Sequence, residues 1–298
     1  MGALPVTIVS GYLGAGKTTL VNQMLRQADG AKIAVLVNEF GELPIDEDLI
    51  EARDDELISI AGGCICCSFG SDLAAALKQM AEYQPRPDHI VIEASGVAMP
   101  GAIAQTVDLI PELRVEGICV LADSLNIRKM SGDEYIGDTI ERQLSDADLI
   151  LLSKADLVDQ ADLEVLQDWL AEHWPCARVV TAVQGQVPNA VLLGRFAGGE
   201  TRSAGQFADD KYQSLAVRLE TPVDARKLAQ RLAEPSLGLV RAKGFVRDIS
   251  GRPALIQLAG QRTEVTFPEK PGAAGLVCIG LKGRIDPRAL QELGLGIS

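Results

Sequence analysis

Eight residues near the N-terminus, Gly11-Tyr12-Leu13-Gly14-Ala15-Gly16-Lys17-Thr18, constrain the fold of this chain more than any other feature. They follow an apolar run, Val6 to Val9, and precede a helix-compatible stretch, Thr19 to Gln27. This is the G-x-x-x-x-G-K-[ST] phosphate loop in its strand–loop–helix setting. Its glycines let successive backbone N–H groups turn toward a triphosphate, and the helix N-terminus adds positive potential. Gly11, Gly14, Ala15, Gly16, Lys17, Thr18 and Thr19 are therefore assigned to nucleotide binding. Lys17 is expected to bridge the β- and γ-phosphate oxygens, and the Thr18 hydroxyl to ligate magnesium. A chance match in a chain with 29 glycines is the competing explanation, and the placement between strand and helix argues against it.

At 298 residues the chain can bury a sizeable core and form one large or two modest domains. It has no 18-residue apolar run, so no transmembrane helix is expected. Residues 1–5 lack a basic region followed by an apolar stretch and a cleavage site, so the expectation is a cytoplasmic protein without a secretory leader. In that compartment the six cysteines should be thiols. The net charge of −13 argues against nucleic acid or an anionic membrane as partner. Residues 1–210 carry 14 basic and 33 acidic side chains, a net −19, whereas residues 211–298 carry 14 and 8, a net +6. The asymmetry supports a boundary near residue 210. It is compatible either with electrostatic contact between the two parts or with two separately solvated faces.

Residues 1–185 alternate between short apolar runs and helical stretches. Strands are expected at Val6–Ser10, Ile33–Asn38, Leu57–Ile60, His89–Glu93, Gly117–Leu121, Leu149–Ser153 and Arg178–Thr181, with helices at Ser71–Glu82, Thr139–Leu144 and Asp162–His173. That alternation predicts an α/β fold, a P-loop NTPase domain with a mostly parallel sheet covered on both faces. Residues 186–210 read as a linker. Residues 211–298 read as a small α+β C-terminal domain. Its strands are expected at Gln213–Leu219, Leu237–Asp248, Pro253–Leu258, Thr263–Phe267 and Gly275–Leu281, its helices from Thr221-Pro222 to Ala233 and near Asp286–Glu292.

A phosphate loop needs an acidic partner at the end of a neighbouring strand to hold magnesium. His89-Ile90-Val91-Ile92-Glu93 supplies one, followed by Ala94-Ser95-Gly96, whose glycine is placed to approach a γ-phosphate. Lys17, Thr18 and Glu93 are the candidate catalytic residues. A base reader is expected after a later strand, and Leu149-Ile150-Leu151-Leu152 leads into Ser153-Lys154-Ala155-Asp156. This has the form of the Asn-Lys-x-Asp element of GTPases with Ser in place of Asn. Asp156 can accept from guanine N1–H and N2–H₂, which adenine does not offer, and the Lys154 stem can pack along the ring. The pattern favours GTP over ATP. Thr181-Ala182-Val183 follows the next strand and lies where the chain could close over the base.

Gly62-Gly63-Cys64-Ile65-Cys66-Cys67 is the second strong motif. Three thiols within four residues converge on one soft metal if the backbone bends tightly, which the two glycines permit. Zinc favours thiolates in tetrahedral geometry, and three cysteines leave a fourth position open for a further ligand. Such a shell suits transfer better than permanent binding. Zinc is the metal chosen; cobalt and copper(I) also accept thiolates. Buried packing or a redox pair are the competing explanations. Cys119, Cys176 and Cys278 stand alone in apolar runs and are expected in the core. Val37-Asn38-Glu39-Phe40-Gly41-Glu42 occupies the position of a first switch segment, with Glu39 a candidate magnesium ligand and Glu42 a further donor to either metal.

Taken together, GYLGAGKTT at 11–19, NEFGE at 38–42, GGCICC at 62–67, EASG at 93–96 and SKAD at 153–156 resemble the CobW-type GTPases, relatives of the urease and hydrogenase maturation GTPases. Leu239-Val240-Arg241-Ala242-Lys243-Gly244 is similar to the family's C-terminal signature, so the resemblance spans nearly the whole chain. It implies a metallochaperone or metal insertase that uses GTP binding and hydrolysis to deliver zinc or cobalt to client metalloproteins. The cysteines would then be the transferable site and the C-terminal domain the surface that meets the client. A nucleotide-dependent dimer is a further partner arrangement within this reading. Two departures stand out: Ser153 replaces Asn, and no histidine-rich loop is present, since the chain has two histidines. A nucleotide-dependent metal sensor without delivery and an ATP-dependent kinase are the alternatives from other classes.

Overall fold

A computed structural model describes residues 2–28, 30–37, 57–59, 71–194, 211–217, 219, 221–269, 272 and 274–296. The chain divides into two compact units, Met1–Leu193 and Gly194–Ser298. In the first unit, seven strands form one sheet: β1 (Leu4–Gly11), β2 (Ile33–Val37), β3 (Leu57–Ser59), β4 (His89–Glu93), β5 (Leu113–Asp123), β6 (Leu149–Ser153) and β7 (Arg178–Ala182). Their order is β3-β2-β4-β1-β5-β6-β7, and each pairing is parallel. Strands buried at every position, such as the wholly apolar β2 and β6 with its four leading apolar residues, are what a sheet covered on both faces demands. The expected parallel α/β architecture is therefore present.

Strand β1 lies near the middle, with Val9 beside Glu93 of β4 and Gly11 beside Leu121 of β5. Among the described residues six helices flank the sheet, α1 (Lys17–Arg26), α2 (Ser71–Glu82), α3 (Pro100–Asp108), α4 (Ile127–Ser131), α5 (Gly137–Ser145) and α6 (Gln160–His173), followed by the short α7 (Asn189–Leu192). The core under one face joins Val6, Ile8, Ile90 and Ile92 of the strands to Ile103 and Val107 of α3 and Ile140 and Leu144 of α5. Strand β5 runs longer than the expected Gly117–Leu121, because a register shift between Val6 and Thr7 carries the ladder past the charged Arg114 and Glu116. Those charges interrupt the apolar run and hide its first part from a pattern search.

The segment after β7 grips α1 at both ends. Val183 bridges Gln186, and Gly185 lies so close to the first turn of α1 that an added Cβ would sit 3.2 Å from the Leu20 Cα and the Thr19 carbonyl. At the other end, the Asn189 amide donates to the Met24 and Gln27 carbonyls at 2.8 and 2.9 Å. Val191 and Leu192 are fully buried.

The second unit is an antiparallel sheet of β8 (Tyr212–Val217), β9 (Leu239–Arg247), β10 (Pro253–Ala259), β11 (Arg262–Thr266) and β12 (Gly275–Leu281) in the order β11-β10-β9-β12-β8. Helix α8 (Ala225–Leu232) packs Leu228 and Leu232 on Ala242, Ile256 and Cys278, and α9 (Pro287–Gly296) closes the chain. The helix expected from Thr221-Pro222 begins three residues later. Val223 is held extended by a bridge to Asp248, so the cap falls to Asp224, whose carboxylate accepts from the Arg226 and Lys227 N–H groups. Cys119 and Cys278 are buried as expected, and burial pushes the Cys278 thiol up to about 12. Cys176 is the exception: it is exposed in the turn after α6, where Pro175 ends the helix instead of extending an apolar run into the core.

Asp248 ties this unit together. It accepts from the Ser250 hydroxyl and N–H and from the Ala225 N–H at the start of α8, and these bonds hold its carboxyl below the usual carboxylate range. A lowered folded-state value means stabilisation that is complete above the unfolded value and lost as pH falls through the folded one. Asp248→Ala is expected to lower stability by about 1–2 kcal/mol at pH 7. The gap to wild type should close on acidification below about pH 4 in chemical denaturation.

Candidate functional site

Parallel strands bring their carboxyl ends to one edge, and the sequence motifs lie along it. The phosphate loop leaves β1 at Gly11, where φ is 134° and an added Cβ would meet the Leu121 carbonyl at 2.4 Å. Gly14 and Gly16 also have positive φ, 73° and 95°, so the loop closes through conformations that L side chains rarely adopt. Gly16 occupies the cap position of α1 and offers no side-chain acceptor, and the first turn carries no acidic residue. The Lys17 ammonium folds back into the loop, donating to the Gly11 carbonyl at 3.1 Å and the Tyr12 carbonyl at 3.4 Å. Ala15 is buried, and its N–H closes a turn on the Tyr12 carbonyl at 3.2 Å; Thr19 faces outward from α1.

One residue on, the Thr18 hydroxyl donates to Glu93 Oε1 at 2.8 Å across 75 residues of sequence. Glu93 is only 2% exposed, and a carboxylate is not sunk that deep without cationic or hydrogen-bonding company. A hydroxyl and a buried carboxylate side by side next to a phosphate loop form a donor set that fits a hard divalent cation. Gly96 follows on the same strand end. A Cβ there would sit 2.4 Å from Leu13 Cδ2 and 2.8 Å from the Leu13 nitrogen, so this position touches the phosphate loop and accepts no larger residue.

Toward the other side of the sheet, Asp123 of β5 pairs in register with Ser153 of β6, and Ser153 with Ala182 of β7. The Ser153 hydroxyl donates to the Ala122 carbonyl at 3.3 Å, while its own carbonyl accepts from the Ser124 hydroxyl at 2.7 Å. Ser153 thus splices two strand ends. Lys154 adopts a left-handed conformation with φ 56°, and its ammonium donates to Asp123 Oδ2 at 2.9 Å. Burial raises the Asp123 carboxyl, but hydrogen bonds from Lys154, Asn126 and the Leu125 N–H, with the Lys154 charge, outweigh it and leave the group below its usual range. Asp156 is exposed in the short 3-10 turn Ala155–Leu157. The Thr181–Val183 segment leads into the turn at Gly185 that abuts α1.

The structure therefore draws Gly11, Gly14, Ala15, Gly16, Lys17, Thr18, Glu93 and Gly96 into one cluster, and Ser153, Lys154 and Asp156 into a second farther along the same edge. Cys64, Cys66, Cys67, Glu39 and Glu42 lie outside the described residues. Among the described residues no group of three or more His, Cys, Asp or Glu side chains is arranged to hold a metal, and no helix is long and apolar enough to cross a membrane. Sequence reading passed over Asp123, whose signal was an acid ending an apolar strand one register step from Ser153. It also passed over Gln143 of α5, which carries no motif.

Residues 5–181 match the family model described as CobW/HypB/UreG, nucleotide-binding domain, and residues 212–293 match the cobalamin synthesis protein CobW C-terminal domain. A relative in Sinorhizobium sp, zinc chaperone CobW, is 31% identical over 333 aligned positions, covering 94% of this chain and 93% of its own. Zinc chaperone YjiA of Escherichia coli K12 is 33% identical, with 87% of this chain and 86% of the relative covered. The solved structure of Zn(II)-bound YjiA GTPase from E. coli aligns over the full length of both chains with a TM-score of 0.50 and 26% identity. With the phosphate loop, the strand-end acid and the second sheet each in place, the chain belongs to the CobW/HypB/UreG family and carries a CobW-type C-terminal domain.

Proposed function

We propose that the protein is a GTP-hydrolysing zinc metallochaperone that loads zinc on Cys64, Cys66 and Cys67 and passes it to a client metalloprotein. The observation that carries the nucleotide half is the 2.8 Å contact between Thr18 and the buried Glu93 beside the phosphate loop. The zinc half is supported by the C-x-C-C motif together with the zinc chaperones among the relatives. Gly11 to Thr19 cradle the phosphates through backbone N–H groups, and Lys17 exchanges its loop carbonyls for phosphate oxygens. Thr18 and Glu93, with Glu39, are the residues that would hold magnesium, which when bound neutralises charge developing on the β- and γ-oxygens.

At the far end of the site, Asp156 accepts from the guanine edge and the Lys154 stem lies along the ring, its ammonium fixed by Asp123. Ser153 contributes through the strand splice that sets the height of Lys154. The residues from 38 to 67 connect the two halves of the function, because the acids of the first switch segment and the three thiols fall within thirty positions. GTP binding draws this stretch into one geometry and hydrolysis releases it, changing thiolate affinity for the metal; Glu42 stands ready as an extra donor. Residues 1–185, with the segment to Leu193 that braces α1, act as the GTPase domain, the rest of the stretch to 210 is the linker, and residues 211–298 meet the client. Dimerisation governed by the nucleotide accords with this scheme, with zinc as cargo and cobalt the next metal by donor chemistry.

Asp156→Asn reverses one hydrogen-bonding partner of the base. The variant should bind GTP at least about tenfold more weakly and gain affinity for xanthosine triphosphate, as read by competition against a fluorescent guanine nucleotide. Equal competition by GTP and ATP in wild-type protein would sink the guanine assignment. Cys66→Ala should weaken zinc binding by about two orders of magnitude in a chelator titration, since one of three thiolates is lost. A non-hydrolysable GTP analogue with magnesium should shift wild-type zinc affinity and leave that of the variant unmoved; no shift in wild type would break the link between hydrolysis and cargo.

A further inference from the structure

The loop that follows Glu93 is held from an unexpected quarter. Residues 95–98 form a turn closed by the Ala98 N–H donating to the Ser95 carbonyl at 3.1 Å. The carbonyls of Gly96 and Ala98 both accept from the Gln143 side-chain amide, at 3.1 and 3.0 Å. Gln143 is 1% exposed, and only its NH₂ group can face two carbonyls, so its orientation is fixed. Three residues later Asp146 accepts from the Gly101 N–H at 2.8 Å, tying the first turn of α3 to the same helix.

This attachment lies at one particular place in the site. Gly96 presses on Leu13 in the middle of the phosphate loop, and β4 sits on the opposite side of β1 from the base-side strands β5, β6 and β7. Any shift of the turn is therefore felt at the phosphates and not at the base. The Ser95 hydroxyl is buried in this turn and has no hydrogen-bond partner among the described residues. A buried hydroxyl needs a hydrogen-bond partner, so the turn keeps a polar group in reserve beside the phosphate loop, and Gln143 supplies the contacts that hold the turn.

We propose that Gln143 is a positioning residue for the terminal phosphate: from α5 it sets the turn 95–98 against the phosphate loop and so tunes discrimination between nucleoside tri- and diphosphate. This rests on the GTP reading above. Gln143 touches no reacting atom; it acts through the backbone of Gly96 and Ala98. A purely structural role would change both nucleotides' affinities alike, whereas a positioning role changes their ratio.

The test compares Gln143→Leu and Gln143→Met with wild-type protein by titrating GDP and a non-hydrolysable GTP analogue in magnesium. Gln143→Met keeps the length of the unbranched side chain while removing both donors, and serves if the leucine variant does not fold. Affinity for the GTP analogue is expected to fall about tenfold, the size that the loss of two neutral hydrogen bonds allows. GDP affinity and the preference for guanine over xanthine should stay within about twofold of wild type. Asp146→Asn, which alters the α3 anchor and leaves the turn's carbonyls bonded, should keep the wild-type ratio. Equal losses for GDP and GTP analogue, or no loss for either, overturn the proposal. Wild-type protein that binds neither nucleotide overturns the GTP reading itself, and this role with it.

Discussion

The parallel ladder that pins β1 between β4 and β5 is the constraint on which the site depends. Val9 stands beside Glu93 on one side and Cys119 on the other, so the chain leaving β1 must emerge next to the end of β4. Neither Thr18 nor Glu93 needs to search for the other; the strand register delivers both to within one hydrogen bond. The same ladder, continued through β5, β6 and β7, sets Asp123, Ser153 and Ala182 in line at one height. Two clusters with separate chemistry are thus spaced by strand separation, which is a rigid quantity of about 4.8 Å per step.

The left-handed backbone at Lys154 shows how local strain serves that spacing. A lysine with φ of 56° forgoes the comfort of the ordinary regions, and Asp123 secures it with a charged hydrogen bond. Gln184, with φ of 50°, is the other non-glycine residue of this kind among the described residues, and it too follows a strand in this half of the sheet, β7. Unusual backbone at the ends of adjacent strands marks where a site is built, because nothing in the core requires it.

Much of this was legible from residue order. Glycine spacing announced the phosphate loop, since positive φ at Gly14 and Gly16 leaves few alternatives, and apolar runs bounded by polar residues announced β2, β4 and β6. What escaped had physical reasons. The first half of β5 carries Arg114 and Glu116, which break the apolar signature of a strand that bulges to accommodate them. The start of α8 was misplaced because a proline cue at 222 is overruled by the bridge between Val223 and Asp248, a contact invisible along the chain. Cys176 looked like core by its neighbours and proved to be in an exposed turn. Gln143 and Asn189 escaped for another reason: a side-chain amide bonding to distant carbonyls leaves no periodicity and no motif.

The grip of the 183–193 segment on α1 bears on where the nucleotide-binding unit ends. The last strand of its sheet stops at Ala182, and the matching family region stops at residue 181. Yet Gly185 lies against the first turn of the phosphate-loop helix, and Asn189 donates to two carbonyls at its last turn, beside the buried Leu192. A fragment cut at the end of the sheet would keep every nucleotide motif and lose the contacts that Gly185 and Asn189 make with α1. In this molecule the compact nucleotide-binding unit is longer than the stretch that carries its recognisable motifs.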